Sequence, residues 1–202
     1  MAVPVGSPGD SHRWHALLPA GVGVRRREDE DAGFLRELYA QSRAQELGPV
    51  PWSVERKRAF LGDQFAKQHS HYLQHYPTAQ WWVVTLDGAP AGRLYVAQTP
   101  GDLRIMDVTL DAALRNRGIG TALMRALLVH ADTARLAVTL HVEPFNPAMR
   151  LYGRLGFAHV ETRGVYHFMR RDASVEDDLV GHALGAASHR DHEQVEPAAM
   201  RM

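Results

Sequence analysis

The sequence predicts a mixed α/β fold arranged around a central sheet. Three observations point there. Apolar residues alternate in some stretches and recur at helical spacing in others, and the two periods take turns along the chain. The β-rich runs are separated by turn chemistry, first Asp87-Gly88 and then Pro100-Gly101-Asp102. The helical runs open on capping residues, Ser53 and Asn146-Pro147.

In chain order, VGVRRR at 22–27 predicts a short strand. In residues 28–47, Phe34, Leu35, Leu38 and Tyr39 share one helical face, with acidic residues in the first turn. Residues 53–76 predict a second helix or a pair, capped by Ser53 with Glu55 just inside. Its apolar stripe is Phe60, Leu61, Phe65, Tyr72 and Leu73. QWWVVTL, AGRLYVAQT and LRIMDVTL then predict three antiparallel strands, and a helix follows over 118–133. RLAVTLHV at 135–142 reads as a buried strand. Asn146 caps a last helix with Pro147 at its first position, Gly156-Phe157 ends it, and 157–171 close as a hairpin.

Composition narrows the function. The chain has 202 residues, 45% of them apolar, with 23 basic and 23 acidic side chains. Zero formal charge gives no reason to expect a nucleic-acid or membrane-surface partner. There is no cysteine, which excludes disulfides, thiolate metal sites and a cysteine nucleophile. No apolar run approaches the roughly 20 residues of a membrane helix, and no secretory signal opens the chain. A cytoplasmic protein is expected. Residues 1–20 read as a flexible arm with one segment docked around Trp14, 21–171 as the domain, and 172–202 as a polar, disordered tail.

The stretch LRNRGIGTAL carries the chemistry. A strand ends near Leu110 and a helix begins near Gly118, so unpaired amides and the positive end of a helix dipole face whatever lies ahead. Gly118 and Gly120 leave those amides bare, Arg115 and Arg117 add charge, and Thr121 offers a hydroxyl. Such a socket suits a phosphate or pyrophosphate. A P-loop would need a lysine after the glycines, and a dinucleotide fingerprint a third glycine where Leu123 stands. On two glycines alone, an ordinary turn with surface arginines would be the better reading.

The pattern is larger than two glycines. Residues 115–120, Arg-Asn-Arg-Gly-Ile-Gly, resemble the pyrophosphate loop of GNAT-type N-acyltransferases, written Arg/Gln-x-x-Gly-x-Gly/Ala. The preceding IMDVTL is similar to that family's acyl-CoA strand, which usually carries a bulge. NPAMRLYGRLGF resembles its second motif, Asn-x-x-Ala-x-x-x-Tyr-x-x-x-Gly-Phe, with Ala148 one residue early and Met149 at the strict position. The resemblance spans roughly residues 22–170. It implies a GNAT-like mixed, mostly antiparallel sheet flanked by helices, with two central strands splayed apart around acetyl-CoA. Val108, Thr109 and Leu110 would pair with the pantetheine arm, and Arg115, Asn116, Arg117, Gly118, Ile119, Gly120 and Thr121 would hold the pyrophosphate. Asn146 would reach the pantetheine or simply cap its helix.

The implied reaction is direct attack by a primary amine, from a small molecule or a peptide, on the thioester. Tyr152 matches the family tyrosine that protonates the leaving sulfur; by itself, a tyrosine on an apolar helix face would read as core. The base is open. Asp107 lies inside an apolar strand, where an acid needs a reason, and a substrate-side role competes with a structural hydrogen bond. Glu143 ends the neighbouring strand, and His141 is the weaker candidate. Trp52 and Tyr72 are candidate walls of the acceptor pocket. His141-Val142-Glu143 mimics a zinc deaminase without its cysteines, and His71 and His75 have metal spacing without a third ligand. No metal is expected. The family allows a homodimer. Two other readings are a non-catalytic acyl-CoA sensor, and a C-terminal tail that docks a partner.

Overall fold

The computed structural model describes residues 13–174 of the chain. The expected C-terminal tail beyond residue 174 and the first twelve residues of the expected arm lie outside the described residues. A 3-10 turn at Arg13–Leu17 leads into β1 (Val22–Arg26), α1 (Ala32–Leu47) and α2 (Val54–His75). Three strands follow, β2 (Gln80–Leu86), β3 (Ala89–Thr99) and β4 (Asp102–Leu110). Then come α3 (Ile119–Thr133), β5 (Ala137–Val142), α4 (Met149–Arg154), β6 (Ala158–Arg163) and β7 (Tyr166–Arg171).

The seven strands form one sheet in the order β1-β2-β3-β4-β5-β7-β6. All neighbours are antiparallel except the central pair, β4 and β5. The hairpin between β2 and β3 turns on Asp87 and Gly88, both left-handed at φ 50° and 82°, which matches the twist of the strands it joins.

Each face of the sheet carries its own apolar cluster. Under α3 and α4 lie Leu94, Val108, Leu110, Leu123, Leu127, Val138, Leu140 and Tyr152. Trp14 joins them, 2% exposed and edge-on to Trp82 with ring centroids 6.4 Å apart. Under α2 lie Tyr72, Tyr95, Ala97 and Met106, with Tyr76 and Trp81 packed against them.

Two local expectations differ from the structure. Of the stripe expected on α2, Leu61 and Tyr72 are buried, but Phe60 and Leu73 are exposed. Successive helical residues are turned by roughly 100°, which puts Phe60 and Leu73 well to either side of the line through Leu61 and Tyr72. The last helix begins at Met149 rather than Pro147. Asn146 Oδ1 accepts from the Ala148 amide at 2.9 Å, and that side-chain turn occupies the two residues ahead of the helix.

Candidate active site

The site begins with a failure of pairing. β4 and β5 are bonded only where Asp102, Leu103, Arg104 and Ile105 lie opposite Ala137, Val138, Thr139 and Leu140. Both strands run on beyond that point, β4 to Leu110 and β5 to Val142. On its other side β4 stays paired with β3, but the register skips Met106: Tyr95 faces Asp107 and Val96 faces Ile105. This bulge puts Met106 and Asp107 on the same face, under α2, where strict alternation would have separated them. Past the bulge, the β5-facing edge of residues 108–110 has no strand partner in the sheet. On the opposite, β3-facing side of β4, Gly92 lies against Leu110, and a Cβ there would come within 2.5 Å of the Thr109 carbonyl oxygen.

Asp107 finds its reason in Arg93. Both side chains are essentially unexposed, at 0% and 1%. Arg93 donates from Nη2 to Oδ2 at 2.6 Å and from Nε to Oδ1 at 3.1 Å, and the Thr109 hydroxyl donates to Oδ1 at 2.8 Å. Gln68 of α2 accepts from Arg93 Nη2 at 3.4 Å. Burial opposes the arginine's charge, and Asp107 more than offsets it, so the guanidinium is held above its usual range.

The opened edge of β4 leads into the glycine loop. Asp111 caps a short 3-10 turn by accepting from the Ala113 amide at 2.9 Å. Arg115 donates from Nε back to the Leu110 carbonyl at 3.1 Å, tying the loop to the strand end. Asn116 and Gly118 are left-handed, at φ 60° and 82°, and Gly118 is the cap residue of α3. The first backbone bond from the helix to that cap runs from Ala122 to Gly118, at 3.0 Å. The amides of Ile119, Gly120 and Thr121 therefore have no acceptor within the helix. Arg117 is exposed and lines a depression of about 230 Å³ with Pro19, Ala20, Val22, Leu86 and Ile119.

The β5 side supplies the remaining groups. Tyr152 is 0% exposed and packs against Phe157, ring centroids 5.8 Å apart. Burial first, and the Asp107 charge second, push its hydroxyl above the usual phenol range, so it keeps its proton. Asn146 is 6% exposed, and its Nδ2 has no acceptor among the described residues. His141 is buried, its ring tilted against Phe168 with centroids 5.0 Å apart, and its Nδ1 accepts from Arg104 Nη2 at 3.0 Å. Burial, then Arg104 and Arg163, lower its pKa from 6.5 to about 3. A nitrogen committed in this way is a poor proton acceptor. Glu143 is 27% exposed and faces Arg43 of α1 at 3.6 Å.

A parted central strand pair, a strand edge running into bare helix amides, and a buried tyrosine beside them agree with one finding from the sequence. Residues 28–157, more than half of the chain, match the Acetyltransferase (GNAT) family. The chain belongs to that family. It is an acetyltransferase that uses an acyl-CoA donor. No curated protein matches the chain. Among solved structures, the PaiA N-acetyltransferase of Thermoplasma acidophilum in complex with coenzyme A superimposes with a TM-score of 0.57 at 16% identity, over 75% of this chain and 98% of that one. Ard1 of Thermoplasma volcanium gives 0.52 at 19% identity, over 77% and 100%. The ribosomal-protein-S18-alanine N-acetyltransferase of Escherichia coli gives 0.53 at 17%, over 80% and 99%. These likenesses establish the fold.

The acetyltransferase does not gather every expected residue. Tyr72 is 2% exposed, packed among Trp81, Tyr76 and Tyr95, and acts as a pillar between α2 and the sheet. Trp52 is half-buried at the other end of α2, 5.3 Å from Phe60 and covered by Arg56. Twenty helical residues span roughly 30 Å, so Trp52 and Tyr72 belong to different places. Among the described residues no group of three or more histidines, aspartates or glutamates is close enough to hold a metal, and no helix is long and apolar enough to cross a membrane. Sequence reading missed Arg93 and Arg43. Arg93 had a signal: it and Asp107 are opposite charges in neighbouring apolar strands. Arg43 had none, since it lies on the polar flank of its helix.

Proposed function

We propose that the acetyltransferase moves an acetyl group from acetyl-CoA to a primary amine by direct attack, with Tyr152 as the general acid. The observation that supports this most is the unpaired β4 edge, which leads through the loop of residues 111–118 to the bare amides of α3. An extended pantetheine arm fits such an edge as an added strand, along Val108, Thr109 and Leu110. A pyrophosphate suits the turn of residues 115–121, where the dipole contributes about 0.3–1 kcal/mol and the arginines and amide bonds the larger part. Asn146 Nδ2, buried without an acceptor among the described residues, would donate to the same ligand.

Acetyl-CoA supplies the acetyl group as a thioester. The chain has no thiol with which to form a thioester intermediate, so the amine itself attacks. An alkyl amine has a pKa near about 10 and arrives as ammonium; Glu143, the carboxylate at the open end of β5, receives that cation and its proton. As the carbon–sulfur bond breaks, the Tyr152 hydroxyl gives its proton to the sulfur, and the proton that the new amide nitrogen sheds restores the phenol, while Glu143 returns its proton to solvent. Asp107 does not act as the base. Its oxygens already accept from Arg93 twice and from Thr109 once, and it stands instead as the counter-ion of Arg93.

Calorimetric binding of coenzyme A, together with thiol release on a panel of amines, tests the reading. Coenzyme A is expected to bind, and Tyr152→Phe to lower turnover by about 10²–10⁴-fold with its affinity unchanged. A folded protein with no affinity for coenzyme A, or a Tyr152→Phe variant with full activity, would refute it.

A further inference from the structure

The parted strands have an apex, and a pair of side chains sits there that the acetyl-transfer reading leaves unused. The last bonded pair of β4 and β5 is Ile105 and Leu140, so His141 is the first residue of β5 beyond it. Leu140 and Val142 belong to the cluster under α3. Side chains alternate along a strand, so His141 projects from the opposite face. A donor held by its pyrophosphate at residues 115–121 and laid along Leu110 to Val108 runs back down β4, and its acyl end arrives at this apex.

Arg104 of β4 fixes the proton on the imidazole. A guanidinium donates and never accepts. Its Nη2 lies 3.0 Å from His141 Nδ1, so Nδ1 is the acceptor and the proton of the neutral ring is on Nε2. Nε2, at the outer end of the ring, has no hydrogen-bond partner among the described residues. The neighbours do not favour a second proton. Phe168 of β7 packs against the imidazole, and Arg163 of β6 lies over Phe168 at 4.4 Å while pairing with Glu161. Tyr76, after α2, covers Arg104 at 5.5 Å. On the flanking strands Asp102 accepts from Thr139, Asp107 from Arg93, and Asp172 from Arg170. Glu143, two residues along β5, faces Arg43.

We propose that Arg104 is a positioning residue that holds His141 as a neutral Nε2–H donor, and that this N–H is a catalytic group that stabilises the charge developing on the thioester oxygen. The inference rests on the acetyl-transfer reading and adds a residue to its machinery. As the amine's lone pair forms the carbon–nitrogen bond, the carbonyl π pair moves onto oxygen, where His141 meets it. The pair returns as the carbon–sulfur bond breaks. The imidazole keeps its proton throughout, as a neutral electrophile does, and the hydrogen bond from Arg104 into the ring polarises Nε2–H.

Nitrogen NMR on full-length protein carrying isotope-labelled histidine reads the ring directly. With coenzyme A bound, wild-type His141 is expected to show an unprotonated Nδ1 and a protonated Nε2, unchanged from about pH 8 to about pH 5. Acetyl-CoA in place of coenzyme A adds only the acetyl group and is expected to shift the Nε2 proton. In Arg104→Met the ring is expected to titrate at higher pH than in wild type, and thiol release with amines to gain an additional decline over the same range. His141→Phe is expected to lose about 100-fold in turnover with affinity for coenzyme A kept, and His141→Gln, which retains an N–H, to recover part of it. A proton on Nδ1, a wild-type ring that titrates between about pH 5 and about pH 8, or an Nε2 proton indifferent to acetyl-CoA overturns the inference and leaves acetyl transfer standing. These wild-type signals decide whether or not a variant folds. Failure of wild type to bind coenzyme A overturns both.

Discussion

Arg93 and Asp107 are two full charges with almost no access to water, held 2.6 Å apart. Neither is tolerable without the other. Arg93→Met is expected to cost about 3–5 kcal/mol of stability in a urea denaturation series, since it strands a buried carboxylate. Arg93→Met combined with Asp107→Leu is expected to recover most of that loss, because the charge goes with its partner. If the double variant is no more stable than the single, the pair is not the stabilising unit. Asp107 was legible in the sequence as a residue in need of a partner. Arg93 carried the matching signal, an opposite charge in a neighbouring apolar strand, but a lone arginine in AGRLYV reads equally well as solvent-facing. Only the fold shows that α1 and α2 cover that side.

At the scale of elements, β4 is shaped by one residue too many and one side chain too few. Met106 is the extra residue, and Gly92 supplies the room. Gly92→Ala would drive a methyl against the Thr109 carbonyl and Leu110. By displacing the end of β4 from its β3 side it is expected to raise the KM for acetyl-CoA by about 10-fold, corresponding to about 1.4 kcal/mol, and to leave kcat for bound substrate less affected; an unchanged KM would show that the end of β4 does not bear the donor. Gly118→Ala asks an L-residue to hold φ 82° and is expected to cost about 1–2 kcal/mol and to weaken coenzyme A. The strands and helices were readable because turn residues and caps punctuate them. The bulge was not readable from residues 105–107 themselves, since an apolar Met106 fits either face; the family resemblance supplied it. The start of α4 was misplaced because Asn146 spends its cap on a turn rather than on the helix.

For the molecule as a whole, acid is the informative perturbation. His141 stays neutral in the fold, with its pKa lowered from 6.5 to about 3. The unfolded chain takes up that proton near pH 6.5 and the folded protein only near pH 3, so stability is full above 6.5 and falls as pH drops between the two. The melting temperature is expected to decline over that range and to decline less in His141→Gln. Asp31 and Asp132, held low by hydrogen bonds from Arg25 and Arg171, add their own loss below about pH 4. The separation is therefore cleanest in the upper half of the range. A slope identical in both proteins would remove His141 from the account. At the same scale, Trp14 packs into the core ahead of the first strand, and Trp14→Ala is expected to cost about 3–5 kcal/mol by calorimetry.

The sheet is also a partition. Glycine loop, α3 and α4 belong to one side; Tyr39, Arg43, Arg93 and the α1–α2 hairpin belong to the other. A designer could graft a foreign hairpin in place of residues 32–76 and redirect the enzyme to new amines while its handling of the thioester carries over. The transplant must keep what ties the hairpin to the sheet: a glutamine at position 41, whose amide bonds Asp111 and the Ala112 backbone across the divide, Gln68 on Arg93, and Tyr72 packed on Trp81 and Tyr95.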